Sequence, residues 1–533
     1  MMEKILEFIK RKQNLSFFIL CIVLVVIMYG SSLGGSFVLD DREIIARQAF
    51  FENPLNWGEV AKMPYWSVES GLYRPITVLS YSFNFFFFGS GAWSFHLINI
   101  LLYALTGYIL FLFLKKIFKK PILASLSAFL FLILPIHTEV VANIVGRAEI
   151  FALLFSLIGL LELIKRNPNK WVTTLWFLLA IGSKETAIAV IPIVFFLWLF
   201  KSNFFQTKKI SIKDIENFFL PAFLSTFVYL SIRFLILGFN FFSNNATIVE
   251  NSLKFATSSE RIFTSFKVLS MYISKSLVPF SLCSDYSYNQ ITVSSSFWES
   301  EVIFGFLFFV LAFLGIFYFL KKNFNFSLAL MFFFFPFLIV SNLWSPIGTI
   351  AGERLFYFPS VGLCILLASF FIWLWNWIKN ENGKKILLSF FILLSLFYVI
   401  RSFDRSLDWL DEERLFISAG QCAPQSVLSL SNLATVYYFR GDYEKAEQII
   451  LDSYKIYDGY TKANNNLGLI YWKKGEYGKA KKEYFRAFKV YPHFEGIYEN
   501  LALFYFSQGN EEEAEKWLKL GEIKFTNELR LYK

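Results

Sequence analysis

Long apolar runs, broken by short clusters of Lys and Arg, fill the first 401 residues of this chain. A helix crossing a bilayer core of about 30 Å needs roughly 17 to 25 mostly apolar residues. By that measure the candidate spans are 15–33, 93–114, 121–137, 149–164, 171–183, 185–200, 217–238, 299–320, 327–343, 356–378 and 385–401. The clusters Lys115/Lys116/Lys119/Lys120, Lys165/Arg166/Lys170, Lys201/Lys208/Lys209/Lys213, Lys321/Lys322 and Lys379/Lys384/Lys385 occupy every second loop, which an in–out alternation requires if basic loops stay cytoplasmic. The N-terminal flank of Lys4, Lys10, Arg11 and Lys12 precedes a run longer than a secretory h-region and without a small-x-small cleavage site, so it reads as an uncleaved signal anchor.

Two stretches need separate treatment. Residues 171–200 are bounded on both sides by basic clusters, so they read as a hairpin with legs of roughly 20 to 24 Å at 1.5 Å per residue. Its tip, Gly182-Ser-Lys-Glu185, then lies below the outer membrane surface, where it can receive a lipid headgroup. Segment 263–283 is apolar but carries Lys267 and Lys275, and reads as interfacial or re-entrant. Everything after Arg401 falls on the non-cytoplasmic side.

That tail repeats every 34 residues. Asn432/Asn466/Asn500, Leu433/Leu467/Leu501, Tyr437/Tyr471/Tyr505, Gly441/Gly475/Gly509 and Ala446/Ala480/Ala514 all keep the spacing. This is the tetratricopeptide period, two helices per copy with Gly at the turn and small residues at the crossing. The predicted fold is therefore all-α: a polytopic membrane domain of about eleven spans followed by a tetratricopeptide α-solenoid. The divisions are a cytoplasmic 1–14, a membrane domain 15–401 with first outer loop 34–92, a linker and partial helical repeat 402–426, and three repeats over 427–533.

Composition agrees. The chain has 533 residues, 56% hydrophobic and 20% aromatic, with mean hydropathy +0.49, too apolar for a single water-soluble core. The net charge of +10 sits in loop clusters and not on one face, which excludes nucleic acid as a partner. Cys21 and Cys364 fall inside apolar runs while Cys283 and Cys422 stand isolated, so neither a disulfide framework nor a metal spacing is expected.

The polar residues of the predicted outer loops are candidates for chemistry. They are Asp40-Asp41, Glu69, Tyr73-Arg-Pro75, His137-Thr-Glu139, Gly146-Arg-Ala-Glu149, Lys184-Glu185, Asp285 and Gly352-Glu-Arg354. Each also has a plain structural explanation. An Asp pair after a first span serves equally as a helix cap with a solvated neighbour. Arg74, Arg147 and Arg354 fit interfacial residues reaching for headgroups. His137 at a span end suits a buried structural bond, and Glu139 and Glu149 suit pairing with Arg147. Their coincidence on one predicted face favours function, because charge near a membrane is costly unless paired or used.

The ordered motifs Phe37-Val-Leu-Asp-Asp41, Tyr73-Arg-Pro-Ile-Thr-Val78, Phe95-His-Leu-Ile-Asn99, Pro135-Ile-His-Thr-Glu139, Asn143-Ile-Val-Gly-Arg-Ala-Glu149, Ser183-Lys-Glu185, Ser284-Asp-Tyr-Ser287 and Gly352-Glu-Arg354, with Trp409 and Cys422-Ala-Pro424, resemble the transmembrane and tetratricopeptide-repeat-containing O-mannosyltransferases. The resemblance covers nearly the whole chain, although three clear repeats are fewer than the animal proteins carry. It implies a lipid-phosphate-sugar-dependent glycosyltransferase fold with Asp40 and Asp41 as the catalytic acidic pair. A carboxylate takes the proton from an acceptor hydroxyl, and its neighbour orients it. Cations stabilise the departing lipid phosphate, for which Arg74, Arg147, Lys184, Arg354 and His137 are the candidates.

The implied donor is a polyprenyl- or dolichyl-phosphate sugar, with mannose resting on the resemblance alone, and no cofactor or metal is specified. The acceptor is Ser or Thr of a secreted protein, held by Asn432, Asn466 and Asn500 in the repeat groove, with a glycolipid acceptor still open. The location is a bacterial inner membrane with periplasmic repeats, or the endoplasmic reticulum with luminal repeats in a eukaryote. Two other classes compete: a transporter of lipid-linked glycans, and a scaffold whose repeats recruit assembly partners. A transporter shows repeats among its spans and charges at the midplane, and neither is present in the sequence. A scaffold needs one anchoring span, not eleven, and the intact outer-loop acids and bases argue against it.

Overall fold

The computed structural model describes residues 13–46, 56–66, 70–201 and 212–530. Lys4, Lys10, Arg11, Lys12, Glu69, Lys208 and Lys209 of the predicted pattern lie outside the described residues. Among the described residues all regular structure is helical. The chain forms two compact units: Met1–Ala246, Leu253–Ser284 and Val293–Arg414 make the first, and Thr247–Ser252, Asp285–Thr292 and Leu415–Lys533 the second.

The helices of the first unit are α1 (Gln13–Tyr29), α2 (Pro75–Phe88), α3 (Ala92–Phe118), α4 (Pro121–Ile133), α5 (Thr138–Ala142), α6 (Arg147–Leu163), α7 (Lys170–Ser183), α8 (Val190–Lys201), α9 (Ile212–Leu237), α10 (Ser258–Leu277), α11 (Ser300–Lys322), α12 (Phe324–Val340), α13 (Tyr357–Trp377) and α14 (Glu381–Leu407). Helices α3, α6 and α13 are mostly buried, and α1, α9, α11 and α14 leave most of their apolar faces uncovered. Leu235, Leu311, Ile386 and Leu393 are among the large apolar side chains fully in view. Apolar surface on that scale is compatible with lipid as the surrounding solvent.

Seven helices are long and apolar enough to cross a membrane, namely Gln13–Gly34, Ala92–Phe118, Ile144–Leu163, Glu216–Phe242, Ser300–Lys322, Glu353–Trp377 and Glu381–Leu407. Pro121–Ile133 with Pro135–Ala142, bent by 55°, makes an eighth if counted as one span. The expectation of about eleven is thus not reached by length and composition. The predicted spans at 171–183, 185–200 and 327–343 fold as helices too short to qualify. The two legs of the predicted hairpin, α7 and α8, both pack on α9. Helix α10, predicted as interfacial, is not among the spanning candidates and lies against α11.

The basic clusters gather at one end of the helices. Lys115 Nζ, at the end of α3, donates to Gln13 Oε1 (3.0 Å) and Asn14 Oδ1 (2.7 Å) at the start of α1. Lys170, opening α7, pairs with Glu216 near the start of α9. Since α3 and α6 begin at Ala92 and Arg147 and end at Phe118 and Leu163, the motifs at their starts lie at the opposite end of these helices from the basic clusters.

In the second unit, α15 (Glu412–Cys422) leads into α16 (Val427–Phe439), α17 (Tyr443–Ile456), α18 (Thr461–Lys473), α19 (Tyr477–Val490), α20 (Glu495–Ser507) and α21 (Glu511–Arg530). These pair as α16/α17, α18/α19 and α20/α21. Gly441, Gly475 and Gly509 sit at the turns with φ of 79°, 78° and 73°, a left-handed conformation that a Cβ disfavours. Ala446 and Ala480 are fully buried where the paired helices cross. Asp285, a predicted outer-loop acid, proves structural here. Its Oδ2 accepts from the hydroxyls of Ser426 and Ser429 (2.7 Å for Ser429), and its Oδ1 accepts from Ser287 N at 3.0 Å.

The cysteine expectation needs correcting. Cys21 and Cys364 are free and buried, but Cys283 and Cys422 are disulfide-bonded. Local spacing reveals a framework only when bridges close short loops, and these two residues carry no local pattern.

Candidate active site

The motifs at the non-basic end fold into a basin of paired charges, each pinned by a local device. Pro75 occupies the first turn of α2 and fixes where it starts, so Arg74 becomes the N-cap, with φ of −133°. Its Nε lies 3.1 Å from Glu185 Oε2, and its guanidinium covers the Tyr65 ring at 4.5 Å. Neighbouring backbone is held by Tyr73 Oη donating to Ala61 O (2.7 Å), Tyr229 Oη to Tyr73 O (2.8 Å) and Thr77 Oγ1 to Ser183 O (3.0 Å). The predicted hairpin tip is therefore tied to the start of α2, and Lys184, in extended backbone, forms a buried ion pair with Glu149.

Segment Gly352-Glu-Arg354 is held at each residue. Tyr272 Oη bonds both Gly352 O and Gly352 N at 3.0 Å, Cys283 N donates to Glu353 Oε1 (2.6 Å), and Arg354 N donates to Glu139 Oε2 (2.9 Å). The Arg354 guanidinium then bridges two carboxylates, Asp40 Oδ2 at 3.4 Å and Glu139 Oε1 at 3.2 Å. Glu139 and Glu149 thus pair with Arg354 and Lys184, not with Arg147 as their sequence proximity suggested. Arg354 lies within Coulombic reach of Glu149 and Tyr65 as well, and Lys184 within reach of Arg74 and Arg354, so Asp40, Arg74, Glu139, Glu149, Lys184, Glu185 and Arg354 make one basin.

The two aspartates differ sharply. Asp40 is 30% exposed and faces Arg354. Asp41 is fully buried, and its carboxylate accepts from Val145 N (2.9 Å) and more distantly from Ile144 N and Val38 N (both 3.4 Å). The Ile144 and Val145 N–H groups reach it because the turn over residues 144–146 folds tightly onto α5. A Cβ on Gly146 would stand 2.2 Å from Val140 O, so glycine is required there. Burial is the largest influence on Asp41, exceeding the three backbone bonds, and pushes its carboxyl up to about 7.

Arg147 and His137 lie outside the paired basin. Arg147 is fully buried, donating to Asn99 Oδ1 (2.8 Å), Asn84 Oδ1 (3.1 Å), Phe95 O (3.1 Å), and Ser80 O and Oγ (3.3 and 3.4 Å). It joins α2, α3 and α6. His137 is likewise enclosed, its Nδ1 2.9 Å from Tyr103 Oη and its Nε2 2.8 Å from Ser360 Oγ, so both ring nitrogens are engaged. Tyr65, which the sequence reading passed over, stands under Arg74 and within Coulombic reach of Asp40 and Arg354. A tyrosine in a loop carries no local signal of such a position. Among the described residues no three His, Cys, Asp or Glu side chains are grouped to hold a metal.

In the repeats, Asn432, Asn466 and Asn500 fall on the first helices α16, α18 and α20. Asn466 Nδ2 donates to Ser431 Oγ (3.2 Å) and Thr435 Oγ1 (3.1 Å) of the preceding repeat, and Asn500 Nδ2 to Asn465 Oδ1 (2.9 Å).

Tetratricopeptide-repeat models match residues 461–494, and 427–457 with 496–520. The chain is homologous to proteins named protein O-mannosyl-transferases. It is 27% identical over 460 residues to one of Caenorhabditis elegans (84% of this chain, 64% of that protein). It is 28% identical over 484 residues to TMTC1 of Homo sapiens (82% and 54%), and 29% over 464 residues to TMTC4 of Homo sapiens (75% and 61%). The chain spans less than two thirds of the length of each of these relatives.

The Asp41 environment has a measurable signature. Its carboxyl rises from an ordinary 3.8 to about 7 on folding, so the folded chain holds this proton more tightly than the unfolded chain. The associated stability is fully present below about pH 4 and is lost as pH climbs through 7. Thermal unfolding of the detergent-purified chain is expected to show wild type losing stability relative to Asp41→Asn across that window. Parallel curves for the two proteins would show that Asp41 keeps an ordinary carboxyl.

Proposed function

We propose that this chain is a membrane glycosyltransferase that moves a sugar, mannose by likeness to its named relatives, from a lipid-phosphate donor to a Ser or Thr hydroxyl of a protein on the non-cytoplasmic face. The observation that carries the reading is the partly exposed Asp40 beside Arg354, within a basin that supplies both a base and cations. A base has to reach the hydroxyl it deprotonates. Asp40 can, and Asp41 is enclosed and bonded to backbone, which gives it the role of fixing the loop. In the transfer, the acceptor oxygen forms its bond to the sugar's anomeric carbon as the bond from that carbon to the phosphate oxygen breaks. The hydroxyl proton passes to Asp40, and the lipid phosphate leaves with the electron pair, its charge met by Arg354, Arg74 and Lys184. A single displacement of this kind inverts the anomeric centre.

Two features support the assignment of the face. The basin stands at the opposite end of α3 and α6 from the basic clusters, which by the positive-inside rule are cytoplasmic. The disulfide-bonded Cys283 and Cys422 require an oxidising compartment. On this reading the number of crossings is eleven, with α7, α8 and α12 as short spans sheltered by longer neighbours. The repeats bind the acceptor polypeptide. Among the described residues no hydrogen bond engages Oδ1 of Asn466 or Asn500, and these carbonyls are suited to accept N–H groups of an extended chain.

Three measurements test this. A cysteine at the exposed Ser36 is expected to react with a membrane-impermeant thiol reagent from the non-cytoplasmic side, and labelling confined to permeabilised membranes would invert the topology. Asp40→Asn is expected to lower transfer by at least about 10²-fold in a chain that still folds with normal helicity; near-normal turnover would remove Asp40 from the chemistry. The triple Asn432→Ala, Asn466→Ala, Asn500→Ala variant should lose transfer to a protein while keeping transfer to a short soluble hydroxyl acceptor and normal helicity. Loss of helicity would instead mark the three as purely structural.

A further inference from the structure

Beside the basin, a cavity of about 290 Å³ opens among α2, α3 and α6. Its walls are Phe83, Phe87 and Phe88 of α2, Ile98 of α3 and Phe151 of α6, and its inner end is closed by Ser80, Asn84 and Arg147, with the Arg147 guanidinium covered by its own partners. The three α2 phenylalanines are exposed, Phe87 by 65%. Since α3 and the segment containing α6 are both long and apolar enough to cross a membrane, the natural covering for this ridge is hydrocarbon.

The polar end points to more than hydrocarbon. Arg147 is a permanent cation, fully buried, and its hydrogen-bond partners are all neutral: Asn99, Asn84, Ser80 and a backbone carbonyl. Among the described residues no carboxylate lies within ion-pair distance of it, whereas Arg74, Lys184 and Arg354 each have one. Asp41 is within Coulombic reach, but its oxygens are taken by backbone N–H groups. A buried cation without a counter-charge is expensive, and an anion entering from the cavity relieves that cost. The longest of its contacts, from Nη1 to Ser80 at 3.3 and 3.4 Å, are the ones that a phosphate oxygen can replace.

We propose that this cavity holds one anionic phospholipid, with an acyl chain along the phenylalanine wall and the phosphate at Arg147. This site is separate from the one that takes the sugar donor, whose phosphate belongs to the paired basin. The lipid fastens α2, and with it Arg74 at the α2 N-cap, to α3 and α6.

Native mass spectrometry of the detergent-purified full chain tests it with three probes: phosphatidylglycerol, phosphatidylcholine and undecaprenyl phosphate. One phosphatidylglycerol is expected to be retained at least about tenfold more tightly than phosphatidylcholine, whose phosphate carries the same charge but whose ammonium cancels it beside the Arg147 cation. Ile98→Trp, which fills the cavity and leaves the contacts of Arg147 intact, is expected to lose that retention. Phe87→Ser, at an exposed wall position, is expected to weaken it while preserving the unfolding temperature. Equal retention of the two phospholipids, or unchanged retention in both variants, would overturn the proposal. So would one-for-one displacement of phosphatidylglycerol by undecaprenyl phosphate, which would assign the cavity to the donor's chain instead. Loss of transfer in Asp40→Asn bears only on the catalytic reading and leaves this one standing.

Discussion

The pairing of Arg354 with both Asp40 and Glu139 is the interaction on which the polar end of the first unit depends. Charges beside an apolar bundle are costly unless they have partners, and removing one member of a paired set strands the others. Arg354 receives its position from Tyr272 on α10 and from the Glu139 carboxylate on α5, and Asp40 comes from the loop after α1. Two distant stretches of chain therefore converge on one guanidinium, and a third holds the backbone beside it. The remaining pairs, Arg74 with Glu185 and Lys184 with Glu149, repeat the pattern and fix α2 and the α7–α8 connection to the same basin.

Chemically identical residues take different work because of what surrounds them. Arg354 is 31% exposed and shared between two acids, whereas Arg147 is enclosed and bonded only to neutral oxygens. Both stand in glycine-containing motifs at the start of a helix, and nothing local separates them. The same holds for Asp40 and Asp41, adjacent in sequence but on opposite sides of a fold boundary. One turns to the basin, and the other supports the turn made possible by Gly146.

This is also the limit of what could be read from the chain. The repeats were legible because a period of 34 writes the same packing three times, and Gly441, Gly475 and Gly509 each occupy the left-handed turn that the period implied. The set of residues near the basin was legible as motifs, since acids and bases at helix ends are conspicuous in so apolar a chain. Their partners were not. Glu139 lies eight residues from Arg147 in sequence yet bonds Arg354, more than two hundred residues away. His137 read equally as a phosphate ligand or as a buried structural residue, and only the fold places Tyr103 and Ser360 on its two nitrogens. Asp285 belonged in the sequence to the outer-loop acids and in space to the serines that open the first repeat. The disulfide-bonded state of Cys283 and Cys422 was likewise invisible, since neither residue carries a local cysteine spacing.

The placement of the motifs follows from helix geometry. Glu139 lies in the first turn of α5, Glu149 in the first turn of α6, Glu185 in the first turn of the 3₁₀ segment before α8, and Glu353 in the one before α13. Arg74 caps α2. Four carboxylates thus sit at helix starts, where the unpaired N–H groups and the macrodipole favour negative charge. That preference accounts for why breaks in otherwise apolar helices gather acids, and the acids in turn hold Arg74, Lys184 and Arg354 in place. On the function proposed above, cations so held need no rearrangement to meet the developing charge of a phosphate leaving group, the kind of electrostatic preorganisation that is usually the largest single contribution to catalysis. The interruptions that shorten α4, α7 and α8 as spans are in this way the same feature that concentrates charge at one end of the bundle. A set of uninterrupted helices would cross a bilayer more simply and would have no basin.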